Sequence, residues 1–243
     1  MPEGPSILIL KELAYPFKGQ KVKSATGNGK INMDLLPGQK IIDIKTWGKQ
    51  FLICFKGFTI RIHLLMFGSY SINEVKDKTP RLSLGFSNGS LNFYTCSVKV
   101  ITGDLNEIYD WQADVLSDNW NGIKAKKKIK ELLKSQICDI LLNQEIFSGV
   151  GNIIKNEVLF RTRVHPASII GSLPAKQLNS IINEARIYSF DFLEWKKKFE
   201  LKKHWLAYNK KTCPRCNLPI IKKIMGKTKR GTFYCGNCQI LYH

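Results

Sequence analysis

The chain has 243 residues, an ordinary apolar fraction of 44% and a formal net charge of +19. That combination excludes a disordered chain and leaves room for two domains with proper cores. Residues 1 to 120 carry 14 Lys/Arg against 11 Asp/Glu, and residues 121 to 243 carry 24 against 8, so the basic field lies on the second half and calls for a polyanionic partner, nucleic acid ahead of an anionic membrane. No segment approaches the roughly 18 apolar residues of a membrane span. Nor does the N-terminus read as a secretory signal, so a soluble, intracellular, monomeric protein is expected.

The chain opens Met1-Pro2-Glu3-Gly4-Pro5-Ser6. Removal of Met1 would make Pro2 a terminal secondary amine, a nucleophile whose neutral form is substantial at neutral pH because α-amino groups titrate near about 8. Glu3 beside it can move protons. The same stretch also reads as an ordinary terminus leading into a helix. Ile7, Leu10, Leu13 and Ala14 recur at helical spacing, and that helix should stop before Pro16.

From about Ile41 to Ile101 the apolar period becomes two, which predicts strands at 41–44, 51–55, 59–64, 81–86, 90–94 and 98–101. Asn88-Gly89 and Lys56-Gly57 mark hairpin turns. Short strands in succession predict an antiparallel sandwich or barrel. Lys49 follows Trp47-Gly48 at the head of a strand. Leu65, Met66 and Phe67 run into Gly68 and a loop, as a buried strand end or as a wedge able to enter a base stack.

Residues 104 to 122 lose clear period and are taken as a junction, giving domains at 1–120, 121–205 and 206–243. Helical patterning then returns: a basic, turn-rich lead over 126–134, an amphipathic helix over 137–147, and another over 174–190 with Leu178, Ile181, Ile182 and Ala185 on one face. Gly149-Val150-Gly151-Asn152 allows a tight turn with Asn152 at the cap of the next helix, a geometry that can hold phosphate or simply join two helices. Cys54, Cys96 and Cys138 read as reduced core thiols. Cys213-Pro-Arg-Cys216 and Cys235-Gly-Asn-Cys238, 18 residues apart, have the spacing of a structural four-thiolate zinc site holding one ion. Between them a β-hairpin is expected, with Arg230 near its tip offering a planar fork to phosphate.

In this order and at these distances the motifs resemble the DNA glycosylases of the formamidopyrimidine-DNA glycosylase and endonuclease VIII type. The resemblance spans nearly the whole chain, from Met1 to Pro5, through Gly48-Lys49, His63 to Gly68, Gly149 to Asn152 with Asn156-Glu157, to the finger ending in Arg230-Gly-Thr-Phe-Tyr-Cys235-Gly-Asn-Cys238-Gln239. It implies a multi-domain α+β fold: an N-terminal antiparallel β-sandwich, a helix-two-turns-helix domain and a zinc finger. It implies a base-excision-repair enzyme for oxidised bases in damaged DNA, with AP lyase activity. In that family's terms Pro2 is the nucleophile that forms a Schiff base, Glu3 the proton-transfer carboxylate and Lys49 a phosphate-contacting catalytic lysine. Asn152 and Arg230 clamp phosphates, and Leu65, Met66 and Phe67 lie on the intercalating loop. The bulky loop and Gly4-Pro5 lean toward the endonuclease VIII branch and oxidised pyrimidines.

Two positions depart from the pattern. Ser6 stands where many members have a second glutamate, and Cys96-Ser97-Val98-Lys99 stands where the formamidopyrimidine branch has an arginine and a phenylalanine that probe the orphaned base, so relaxed reading of the opposite base is expected. The competing reading is a noncatalytic damaged-DNA-binding protein on the same fold, which would have no need of Pro2, Glu3 and Lys49 together. An unrelated zinc-ribbon RNA-binding protein would explain the charge and the cysteines but not the N-terminus.

Overall fold

The structure, a computed structural model, describes Pro2 to His243; Met1 lies outside the described residues. The chain forms two compact units that meet in sequence at Tyr109 and Asp110, inside the aperiodic stretch 104–122. Among the described residues no helix is long and apolar enough to cross a membrane.

The first unit begins with helix α1 (Gly4–Ala14), where Pro5 occupies the first turn and so forfeits no intrahelical hydrogen bond. A 3-10 turn over Tyr15–Phe17 follows, so Pro16 ends the α-helix as expected. Eight strands come next: β1 (Ser24–Thr26), β2 (Asp43–Trp47), β3 (Gln50–Cys54), β4 (Thr59–His63), β5 (Ser69–Ile72), β6 (Leu82–Phe86), β7 (Gly89–Tyr94) and β8 (Ser97–Ile101). They form two antiparallel four-stranded sheets, ordered β1-β6-β7-β5 and β2-β3-β4-β8. Inward residues of the two sheets share one core with Ile7, Leu10 and Ala14 of α1, and Phe51 meets Phe93 across it at 5.7 Å between ring centroids. Each such fully buried side chain is worth roughly 1.5–3 kcal/mol over exposure.

Three details differ from the periodic reading. Leu13, on the expected apolar stripe of α1, is exposed. The turn between β6 and β7 lies at Ser87-Asn88, because Phe86 pairs with Gly89, one residue earlier than the Asn-Gly signal suggests. Strands β1 and β5 were not predicted: Ser-Ala-Thr is too short to show a period, and Ser-Tyr-Ser-Ile alternates over only four residues.

The short helix α2 (Leu105–Ile108) closes the first unit, and the second unit is built from four α-helices and a β-hairpin joined by loops and 3-10 turns. They are α3 (Gly122–Lys130), α4 (Ile137–Ile140), α5 (Asn152–Arg161), α6 (Ala175–Lys197) and the hairpin β9 (Ile221–Met225) with β10 (Arg230–Tyr234). The basic lead is therefore helical: Asn121 caps α3 through Oδ1 at 2.9 Å from the Lys124 N–H, and Ala125 and Ile129 form its buried edge. The expected helix over 137–147 stops after one turn. Asn143 breaks it, its side chain accepting the Glu145 N–H and its carbonyl those of Ile146 and Phe147. Helix α6 is longer than its apolar pattern, running to Lys197 with the four expected residues buried.

Candidate functional site

In the first unit, Glu3 is the N-cap of α1: its carbonyl accepts the Ser6 N–H at 2.8 Å, and the residue is fully buried. Pro2, half-buried, precedes it. A carboxyl group withdrawn from water is costly unless it has partners, which is the usual mark of a group kept for chemistry or for a hydrogen-bond network. Helix α1 packs against β2 and β3, and the two-residue turn joining those strands carries Lys49. Gly48 adopts φ 54 there, as the first position of a type II′ hairpin demands, so a side chain at 48 would strain the turn that presents Lys49.

His63 was not singled out as a site residue, yet it pairs in register with Gln50, the residue after Lys49. Burial, then the charges of Lys49 and Arg61, hold its imidazole below the ordinary value. Its Nδ1 accepts the Leu65 N–H at 3.1 Å, so the neutral ring fixes the entry to the wedge loop. The sign follows from the lowered value: the stability His63 contributes is complete above about pH 6.5 and lost as pH falls through the lower folded value. The urea midpoint of His63→Asn, compared with wild type between pH 5 and 7.5, should fall less steeply on acidification; parallel curves would refute this assignment.

Leu65, Met66 and Phe67 form an exposed turn, 50%, 45% and 80% accessible, so they are not a buried strand end. Leu65 is left-handed at φ 55, and the Gly68 N–H closes the turn on the Leu64 carbonyl at 2.7 Å. Leu65 also borders two adjoining recesses of about 570 and 360 Å³, which share Arg81 and Cys96. Arg81 donates to the carbonyl and Oδ1 of Asn28 at 3.1 and 3.2 Å. No local pattern marked this arginine.

In the second unit, Gly151 rather than Asn152 caps α5, and Asn152 is the first helical residue. The reason is visible in its side chain: Nδ2 donates to the Gly231 carbonyl at 2.9 Å, next to Arg230. One amide hydrogen remains for another acceptor. Although α5 is rich in polar residues, everything from Ile153 to Phe160 is buried: Ile153, Ile154, Val158 and Leu159 join the helical core, while Lys155, Asn156, Glu157 and Phe160 face the finger and the segment that leads into it. Lys155 Nζ donates to Thr232 Oγ1 at 2.8 Å, and Asn156 Oδ1 accepts the Phe233 N–H at 2.8 Å. Glu157 accepts the N–H groups of Leu206, Ala207 and Tyr208 at 2.7–2.9 Å; burial nonetheless pushes its carboxyl above the ordinary value. Arg230 pairs with Met225 at the last rung before the hairpin turn, and Asp139 of α4 grips that turn by accepting the N–H groups of Lys227 and Thr228.

The sulfur atoms of Cys213, Cys216, Cys235 and Cys238 all lie within 4.8 Å of one another. Cys213 and Cys238 are 3.9 Å apart and Cys216 and Cys235 3.5 Å, close to the edge of about 3.8 Å expected for a tetrahedron with Zn–S bonds of about 2.3 Å. Without a cation the four cannot all ionise. The Leu218 N–H and neighbouring thiols draw Cys216 down to about 6, while the Cys216 sulfur and burial push Cys238 up to about 12. This donor set fits a metal ion.

Two family models match the chain: the formamidopyrimidine-DNA glycosylase N-terminal domain over residues 1–97 and the formamidopyrimidine-DNA glycosylase H2TH domain over 113–188. It is 28% identical to endonuclease 8-like 3 of Mus musculus, covering 97% of this chain but 40% of that protein's length. With the formamidopyrimidine-DNA glycosylase of Lactobacillus helveticus it is 30% identical over the whole of both. Among solved structures, a Lactococcus lactis formamidopyrimidine-DNA glycosylase bound non-covalently to AP-site DNA superposes with TM-score 0.86 at 21% identity, over 98% of this chain and 99% of that one. The chain belongs to the formamidopyrimidine-DNA glycosylase and endonuclease VIII family.

Proposed function

We propose that this protein is a base-excision-repair DNA glycosylase with AP lyase activity, removing oxidised bases, pyrimidines favoured, through a Schiff base on Pro2. The observation that carries the reading is the pairing of Pro2 with a fully buried Glu3 at the start of α1, in a chain of this family. In the reaction the Pro2 nitrogen attacks C1′ of the damaged nucleotide, and the base leaves with the glycosidic electron pair and takes up a proton. Opening of the sugar ring gives the iminium ion, the ring oxygen receiving a proton from a nearby acid, a role suited to Glu3. The iminium acidifies the C2′ hydrogen. Its loss expels the 3′ phosphate, a further elimination can expel the 5′ phosphate, and water then releases the amine.

Lys49 supplies a cation for the phosphates around the reacting sugar, Asn152 and Arg230 hold flanking phosphates, and the Leu65 to Phe67 turn fills the gap left by the extruded base. Damaged bases stack and pair less well, so their extrusion costs less. The four cysteines would hold one zinc ion, which would close the finger and take no part in the chemistry.

Borohydride trapping on DNA with an abasic site, a hydroxyuracil-type pyrimidine or an oxidised guanine tests the proposal. A covalent adduct on the abasic site is expected, with the pyrimidine ahead of the purine. Binding without any adduct would replace the enzyme by the noncatalytic damaged-DNA-binding protein. Arg230→Ala should weaken binding to abasic DNA about tenfold to a hundredfold with the metal retained, and lower the salt dependence by about one ion. Normal binding by that variant would remove the arginine from the clamp.

A further inference from the structure

The C-terminus of α6 closes in a double hydrogen-bond motif: the Phe199 N–H reaches the Lys196 carbonyl at 3.1 Å, and the Glu200 N–H reaches Trp195 at 2.8 Å. This closure requires a left-handed residue after the cap, a place that glycine or asparagine fills at little cost. Phe199 occupies it, at φ 59. Of the other non-glycine left-handed positions in the second unit, Asn209 and Asn217 hold the tolerant residue type and Arg163 and Lys229 long polar side chains; Phe199 is the one aromatic among them. The phenylalanine ring, moreover, is 97% exposed, the most exposed large apolar side chain among the described residues. Neither the strain nor the exposure is offset by anything the ring touches in the folded chain, and such an outlier points to a use outside it.

The surroundings say what kind of use. Residues 196 to 203 hold five lysines, Lys196, Lys197, Lys198, Lys202 and Lys203, all exposed, and one acid, Glu200, which is paired with Lys203 at 2.8 Å. The backbone beneath is held firmly, with His204 stacked on Trp195 at 4.1 Å and Leu201 and Trp195 packed on the core. A flat apolar face presented on a fixed turn among ammonium groups matches a strand whose phosphates the lysines track while one base stacks on the ring. Paired bases are covered on both faces by their neighbours, so the base must be unpaired. An anionic bilayer fits less well, because interfacial anchors bury an apolar stripe and this turn exposes a single large apolar ring.

We propose that Phe199 is a stacking platform for an unpaired base of single-stranded DNA, with the flanking lysines holding its backbone. The claim concerns binding alone and stands or falls independently of whether Pro2 reacts. Phe199→Gly in the full chain separates the ring from the fold. Its thermal midpoint should rise by about 2 °C or more, since glycine relieves the left-handed strain. Its affinity for oligothymidylate, read by fluorescence anisotropy, should fall about tenfold, while binding to a closed duplex without ends changes less than twofold. Phe199→Trp should keep the oligothymidylate affinity. Unchanged oligothymidylate binding by the glycine variant would overturn the proposal, as would an equal loss on the closed duplex. A lower midpoint would show that the ring packs in the fold and would overturn it too. Loss of binding only to vesicles containing phosphatidylserine would make the patch a membrane contact instead.

Discussion

A protein with glycine in place of Pro2 is expected to lose borohydride trapping on abasic DNA by on the order of a hundredfold, while binding a reduced abasic analogue as wild type does. Both variants expose an α-amine once Met1 is removed, so the difference lies in what the amine becomes. A secondary amine condenses to an iminium whose positive charge is permanent; a primary amine gives an imine that must be protonated before it draws electrons from C2′. The glycine chain is also freer in φ, so its nitrogen is less often aimed at C1′. Glu3 caps α1 through its backbone, and nothing in that cap involves the Pro2 ring, so the helix should survive. Trapping at the wild-type rate would show that another amine forms the adduct, with Lys49 the next to be replaced.

Removal of the metal should have the largest effect on the second unit. Four-thiolate zinc contributes folding free energy directly, on the order of 10–16 kcal/mol in isolated finger peptides near neutral pH. The finger's own apolar core is small, formed by Phe160, Ala207, Cys213 and Cys235 with a few partly buried neighbours. One equivalent of zinc per chain is expected, released by a thiol-reactive mercurial with a colorimetric chelator present. After release, the amides of the β9–β10 hairpin should exchange freely and affinity for abasic DNA should drop more than about a hundredfold. Hairpin amides that stay protected in the metal-free protein would mean the helices hold the finger unaided. Cys213→Ser provides an independent route to the same state.

The sheets and the finger were legible because each depends on a short-range pattern: alternation along β3, β4, β6 and β7, and cysteine spacing within residues 213 to 238. Pro2, Lys49 and Arg230 were singled out by motif and order; the structure places Pro2 just before the cap of α1, Lys49 in the turn between β2 and β3, and Arg230 at the start of β10. What escaped depends on partners far away in sequence. Asn152, Lys155 and Asn156 look like an ordinary polar helix start until Gly231, Thr232 and Phe233, more than 70 residues on, are placed against them. Asp139 has no local signature at all, since its partners are 88 and 89 residues away. The helix expected over 137–147 failed for a local reason of another kind, as Asn143 offered the backbone a competing turn. His63 was hidden within an apolar strand end, and Arg81 at the start of a strand whose period explained everything but its charge.

The finger's attachment bears on how it could be exchanged. Asp139 holds the turn of the hairpin, α5 holds strand β10, and Gln239 holds the base by donating to the Val164 carbonyl and accepting the Cys235 N–H, both at 2.8 Å. Residues 206 to 243 are thus no free-standing cassette. Grafted onto another scaffold without α4 and α5, they would keep the thiolates but lose the grips that orient Arg230. The transplantable module is the finger with its two helices, a discontinuous piece that the boundaries of a zinc-binding motif do not reveal.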